Sequence, residues 1–376
     1  MESIVLPGQD FFRRDPGLGK ATQPEWAGTQ WATVPSPDFQ LPKRALVLAD
    51  FDEDTLLPFS APDGLQGDRT SSGGRSAAAL EQPGQNRCQC QQHRRSNHAD
   101  ILPVRIKAKG GTVLIREQIR YKSKKEIDKL REACRVAANA LRIAARAARP
   151  GVSLLDLDRI AETYIRQQGA SPSFKGYHGF PGTLCTSVND RVVHGIPSKY
   201  VLQEGDIIAI DCGAKLDGFH GDTCLTVGVG KISDEARMLI QTAQLAMYLG
   251  IENCRPGLRL GDMASAVQSF AEERGYSIVR EYIGHGLGRD LHEDPQVVFA
   301  EQKPGTGFRM EPGMTITIEP ILNTGSHRCL VEADGWTVRT ADGGLSAQFE
   351  HDIAITRNGP EILSIPDAEY ELEDGL

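Results

Sequence analysis

The chain repeats itself once, and this repeat constrains the fold more than any other feature. RPGVSLLDL (149–157) matches RPGLRLGDM (255–263) at an offset of 106 residues. The segments that follow close at Gly169 and Gly275 with the same offset. GDIIAID (205–211) then matches GMTITIE (313–319) at an offset of 108. A period above a hundred residues is too long for a solenoid, whose units run to a few tens of residues. It reads instead as one αβ unit duplicated, giving two pseudo-symmetric halves of a single α+β domain.

Local signals describe the same unit in each half. Ser123-Lys-Lys-Glu126 has the capping-box spacing and leads into Ile127, Leu130, Cys134, Ala137 and Leu141 at helical intervals. Pro150-Gly151 stops that helix, and Ser153 starts a second one that Gly169 closes. After a Gly- and aromatic-rich loop (173–182) come strands at 184–188 and 191–196, joined at Asn189-Asp190. Residues 206–230 read as a long hairpin turning at Asp217-Gly218. Ser233 begins the helix that ends at Arg255-Pro256-Gly257, and the order starts again.

Four carboxylates and an imidazole sit on the predicted strands or their ends: Asp211, Asp222, His285, Glu319 and Glu350. The duplication makes Asp211 and Glu319 equivalent, with Asp222 and Glu350 on the strand after each. A single strand carboxylate is ordinarily an edge or turn residue. Five such groups flanked by apolar residues need a cation to neutralise them. Four oxygens and one nitrogen, with no thiolate, favour a pair of ions such as Mn(II), Fe(II) or Co(II) over a closed structural zinc site. Such a pair would activate water for hydrolysis. His194 and His292 are the histidines expected to touch substrate; His220, His327 and His351 are read as ordinary structural or surface residues.

VVHGIP (192–197), IDCGAKLDGFHGDT (210–223), GHGLGRDLHEDP (284–295), MTITIEPIL (314–322) and SAQFEH (346–351) resemble the signatures of bacterial type I methionine aminopeptidases, from about residue 120 to 365. The resemblance implies the pita-bread fold, a central antiparallel sheet with helices on its outer face. It implies removal of the initiator methionine from new proteins when the second residue is small, with two divalent ions drawn from Co, Mn, Fe(II) or Zn. It assigns Asp211 and Asp222 to one ion and Asp222, His285, Glu319 and Glu350 to the other, with Asp222 and Glu350 bridging. His194 would contact the scissile amide, His292 the carbonyl oxygen, and Glu319 would shuttle protons. The methionine pocket maps onto Tyr177, Phe180, Cys185 and Trp336. Phe174 and Leu291 depart from the residues commonest at their positions and alter the pocket's shape. An Xaa-Pro aminopeptidase or prolidase of the same fold, and a non-catalytic peptide-binding module, are the rival readings. The first would need a pocket for proline; the second would lack metal ligands, and all five are present.

Residues 1–112 hold ten of the 21 prolines and show no amphipathic period, so a mostly disordered extension is expected there. Its Cys88, Cys90, His93 and His98 are not expected to bind zinc, because C-x-C is tighter than the usual knuckle. The catalytic domain is expected over 113–366, with an acidic tail at 367–376. A net charge of −8 argues against nucleic acid as the main ligand. Eight cysteines without framework spacing fit a reducing compartment, and no apolar run is long enough to span a membrane. A cytoplasmic monomer is therefore expected, acting on nascent polypeptide N-termini at the ribosome.

Overall fold

The computed structural model describes residues 104–108, 111–115 and 118–370. The expectations for residues 1–103, Cys88, Cys90, His93 and His98 among them, and for residues 371–376 lie outside the described residues. Strands β1 (Val104–Ala108) and β2 (Gly111–Ile115) pair as an antiparallel hairpin, so the expected boundary at 112/113 falls inside a strand.

Helix α1 (Lys124–Ala147) starts at the expected capping box, with Ser123 and Glu126 satisfying each other's backbone amides. Helix α2 (Leu154–Gln167) is capped by Ser153. Short β3 (Ser171–Pro172) precedes β4 (Leu184–Val188) and β5 (Arg191–Val193). β5 ends sooner than expected because His194 turns to φ +57, outside the extended region. The long hairpin is β6 (Ile207–Leu216) and β7 (Phe219–Gly228). Asp217 and Gly218 both have positive φ, the conformation of a tight hairpin turn that matches strand twist. Helices α3 (Asp234–Glu252) and α4 (Leu260–Glu272) open the second half. They are followed by β8 (Ser277–Ile278), β9 (Gly284–Gly286), β10 (Glu293–Val297), β11 (Thr315–Ile318) and β12 (Ile321–Asn323). The chain then forms β13 (Cys329–Val331), β14 (Val338–Thr340), β15 (Ser346–Gln348), β16 (Glu350–Thr356) and β17 (Gly359–Ile362).

The main sheet runs β10-β9-β11-β16-β7-β6-β3, with β4 also pairing β6 and β17 pairing β16. Its pairings are antiparallel, and the two halves meet where β7 lies beside β16. β3 and β8 preserve the offset of 106 seen in the sequence. Alternation then sorts the side chains. Ile208, Ile210 and Cys212 of β6, Leu225 and Val227 of β7, Ile316 and Ile318 of β11, and Ile353 and Ile355 of β16 share one apolar core with all four helices. The positions between them face the other way, and these carry the acidic residues. The expected pita-bread architecture is the one observed. Close helix–sheet contact is possible because α1 buries a stripe of alanines, and because Gly221 of β7 meets it: a Cβ there would collide with the backbone of Cys134.

The segment expected as a tail begins as part of the fold. Asp367 donates its amide to Asn139 Oδ1 (2.8 Å) and accepts from Arg135 (2.8 Å) and Asn139 Nδ2 (2.7 Å) on α1.

Candidate metal centre and substrate pocket

Strand register brings the carboxylates together. Asp211 on β6 pairs with Cys224 on β7, and Cys224 pairs with Glu350 on β16. Glu319 follows β11 one step beyond the Ile318–His351 pair, on the Glu350 side of the ladder. Asp222 lies two residues before Cys224 and so shares its face. The row therefore crosses the junction of the halves, two acids from each. Asp222, His285 and Glu350 each offer a ligand atom, all within 4.8 Å of one another. His285, in the middle of β9, places Nε2 4.0 Å from Asp222 Oδ2 and 3.7 Å from Glu319 Oε1. Asp211 joins through Asp222, the two carboxyls lying within reach of a shared proton. All five expected ligands thus converge.

The supporting bonds aim these ligands inward. His285 Nδ1 lies 2.9 Å from the Gly286 carbonyl, which can only accept, so Nδ1 carries the proton and Nε2 keeps its lone pair for the centre. Thr317 donates to Glu319 Oε1 (2.6 Å) and Gln348 Nε2 to Glu319 Oε2 (3.3 Å). Asp352 accepts the Asp222 backbone amide at 2.7 Å. Thr317, Gln348 and Asp352 were not anticipated. Each lies two residues from an anticipated ligand, so strand alternation alone carried a signal for them.

The electrostatics are those of a site built for cations. Burial pushes Asp211 up to about 7 and Glu319 to about 8, and raises Asp222 and Glu350 well above the carboxylate range; mutual repulsion adds to the last two. Burial lowers His285 to about 3, so it is a neutral donor. Asp211 Oδ1, Asp222 Oδ1 and Glu350 Oε1 are buried without a hydrogen-bond donor. Orphaned oxygens at this density cost several kcal/mol unless something positive meets them. Hard divalent cations fit the oxygen-rich set.

An apolar cluster lies against this centre. Phe174, Phe180, Cys185 and Leu291 form one buried cluster, with Tyr177, Ile196 and Trp336 packed on it. All four residues expected to line a methionine pocket, and both variant positions, belong to or pack on this cluster; Ile196 joins them. Cys185 pairs directly with Asp211 across β4 and β6, so pocket wall and ligand row share a ladder. The Phe180 and Trp336 rings stand edge-on at 5.1 Å. The His292 ring stands edge-on to His285 with centroids 4.3 Å apart, and its Nδ1 meets the Tyr177 hydroxyl at 2.7 Å. His194 stands edge-on between Tyr282 (5.5 Å) and Trp336 (6.4 Å). Burial lowers both histidines to about 4, with the charge of His292 a further cause for His194 and that of His178 for His292. Neither belongs to the ligand cluster. His194 adopts its strained φ at the site itself, a common place for backbone strain.

Residues 128–357 match the metallopeptidase family M24. The chain belongs to that family. A methionine aminopeptidase from Clostridium perfringens is 47% identical over 244 residues, 65% of this chain and 98% of that protein. The crystal structure of a methionine aminopeptidase from Rickettsia prowazekii aligns with a TM-score of 0.65 at 40% identity, covering 66% of this chain and all of that one. An Xaa-Pro dipeptidase from Bacillus anthracis aligns at 27% identity and a TM-score of 0.53, over 65% of this chain and 61% of that one. As an M24 metallopeptidase the chain has a divalent-metal centre, and the convergent acids of β6, β7, β11 and β16 are the residues fitted to hold it.

Proposed function

We propose that this chain is a methionine aminopeptidase that removes the initiator methionine from proteins whose second residue is small. One observation carries the reading: the pocket wall and the ligand row are adjacent strands of one sheet, Cys185 opposite Asp211. An apolar side chain seated among Phe180, Cys185, Leu291 and Trp336 places its own backbone at the carboxylates. Methionine suits such a pocket, being unbranched, flexible and polarizable.

Two divalent ions held by Asp211, Asp222, His285, Glu319 and Glu350 would supply Lewis acidity and an activated water. The chain's own groups supply the rest. The Tyr177 hydroxyl lies 2.7 Å from His292 Nδ1; in the tautomer where that hydroxyl donates to Nδ1, His292 carries its proton on Nε2. That neutral N–H is the donor for the scissile carbonyl oxygen as negative charge grows on it. His194, held between two aromatic rings, contacts the scissile amide. Glu319 is bonded by Thr317 and Gln348 and is the group to carry protons from water to the leaving amine. The metal centre, once filled, would supply the cationic site for the substrate's free α-amine and so select the chain end.

Among the described residues no helix is long and apolar enough to cross a membrane, and six cysteines are unpaired. We place the enzyme in the cytoplasm as a monomer acting in protein maturation on nascent N-termini, at the ribosome. Peptides test the activity. Met-Ala-Ser and Met-Gly-Ser should be hydrolysed, Met-Leu-Ser poorly, and acetyl-Met-Ala-Ser not at all. A preference for Ala-Pro over Met-Ala-Ser would instead assign the chain to the Xaa-Pro enzymes.

A further inference from the structure

The loop that carries His292 is clasped by a single carboxylate. Glu293 Oε1 accepts the backbone amides of Arg289 (2.9 Å) and Asp290 (3.3 Å), leaving only Leu291 and His292 between the two ends of the closure. Its Oε2 accepts from Lys122 Nζ at 2.7 Å. The side chains of Lys122 and Glu293 are 6% and 2% exposed, so this is an ion pair removed from water, unlike its exposed neighbours. Gly288 permits the approach: a Cβ there would lie 2.6 Å from Lys122 Cε and 2.9 Å from Glu293 Oε1.

Lys122 belongs to a segment strapped over the same loop. The Gln118 amide donates to Asp294 Oδ2 (2.8 Å), Arg120 pairs with Asp290 (2.6 Å), and the Lys122 amide donates to the Gly313 carbonyl (2.8 Å). Arg289 reaches back to Glu126, the acid of the α1 capping box, at 3.4 Å. The strap and the start of α1 therefore hold the loop from one side. His285 and the Tyr177 hydroxyl meet His292 itself.

We propose that the Lys122–Glu293 pair is a positioning device for His292, through which residues 118–122 set the geometry of the site. It rests on the aminopeptidase reading, in which His292 meets the substrate carbonyl. A partial release of the loop leaves ligands and pocket in place and moves the donor, and a shift of about 1 Å can cost on the order of 10²-fold in rate.

The experiment measures kcat, KM and Mn(II) affinity on Met-Ala-Ser for Glu293→Gln, Lys122→Arg and the neutral pair Lys122→Met/Glu293→Gln, in native and His292→Ala backgrounds of the full chain. Glu293→Gln keeps one acceptor for the loop amides and turns an amide group towards Lys122 in place of a carboxylate oxygen, so it breaks the ion pair and remains informative should the pair fail to fold. Glu293→Gln and the neutral pair should lower kcat about 10- to 10²-fold, with Mn(II) affinity unchanged and KM within a few-fold. Lys122→Arg should recover most of the rate. In the His292→Ala background the same changes should cost almost nothing, because the group they position is gone. An undiminished loss in that background, or native kcat in Glu293→Gln, would overturn the proposal. Native turnover in His292→Ala alone would overturn the underlying reading instead.

Discussion

Stripping the metal should make this protein less stable as pH rises through neutrality, and metal should remove that slope. Asp211 and Glu319 sit at about 7 and about 8 in the folded chain, with Asp222 and Glu350 raised further. Carboxyls in an unfolded chain ionise near 4. A group whose folded pKa is raised contributes stability below its unfolded value, and loses it as pH climbs to the folded one. The histidines run the opposite way: His194, His220, His285, His292 and His351 are lowered to between about 3 and about 4, so their contribution grows with pH and levels off above about 6.5, where imidazoles in the unfolded chain lose their protons. The window where the acids outweigh the histidines is therefore roughly pH 6.5 to 8. Each retained proton there costs about 1.4 kcal/mol per pH unit, so Glu319 alone accounts for about 2 kcal/mol, and the other raised carboxyls add to the loss in the same direction. Bound cations replace those protons and flatten the slope, and metal binding should release protons. Urea unfolding of chelator-stripped and Mn(II)-loaded protein at pH 6.5, 7.2 and 8.0 reads the difference, in which titrations elsewhere cancel. A stripped protein of constant or rising stability across that window, or parallel slopes with and without Mn(II), would refute the reasoning.

Asp222→Asn and Glu350→Gln should each lower turnover by at least ~10³ and reduce bound metal, since both residues lie at the junction of the halves; metal analysis beside peptide hydrolysis checks both. Gly221→Ala should destabilise by about 1–3 kcal/mol or more, because its Cβ would press on the α1 backbone at Ala133 and Cys134; a urea midpoint within error of native would contradict that contact.

Much of the candidate ligand set is legible in the sequence because its signals are local. Asp211 and Asp222 flank a turn announced by Asp217-Gly218, and the 108-residue offset ties Asp211 to Glu319. Period-two alternation separates the acids from the isoleucines that face the helices. Thr317, Gln348 and Asp352 obey the same alternation and could have been named by extending it. The early end of β5 at His194 could not, because no local pattern marks a non-glycine residue for positive φ.

The sequence by itself determined the duplicated unit, its capped helices and its hairpin, since each is written within a turn of helix, a strand or a repeat; it named the candidate metal ligands by pattern and the candidate pocket residues by resemblance alone. Only the tertiary structure decided that β7 pairs β16 with Glu350 opposite Cys224, which puts two carboxylates from each half into one row. It alone brought Ile196 to the apolar cluster and set Cys185 beside Asp211. It alone closed Lys122 on Glu293, 171 positions along the chain. Such contacts depend on the register and curl of strands far apart in sequence, and residue spacing carries no direct record of either.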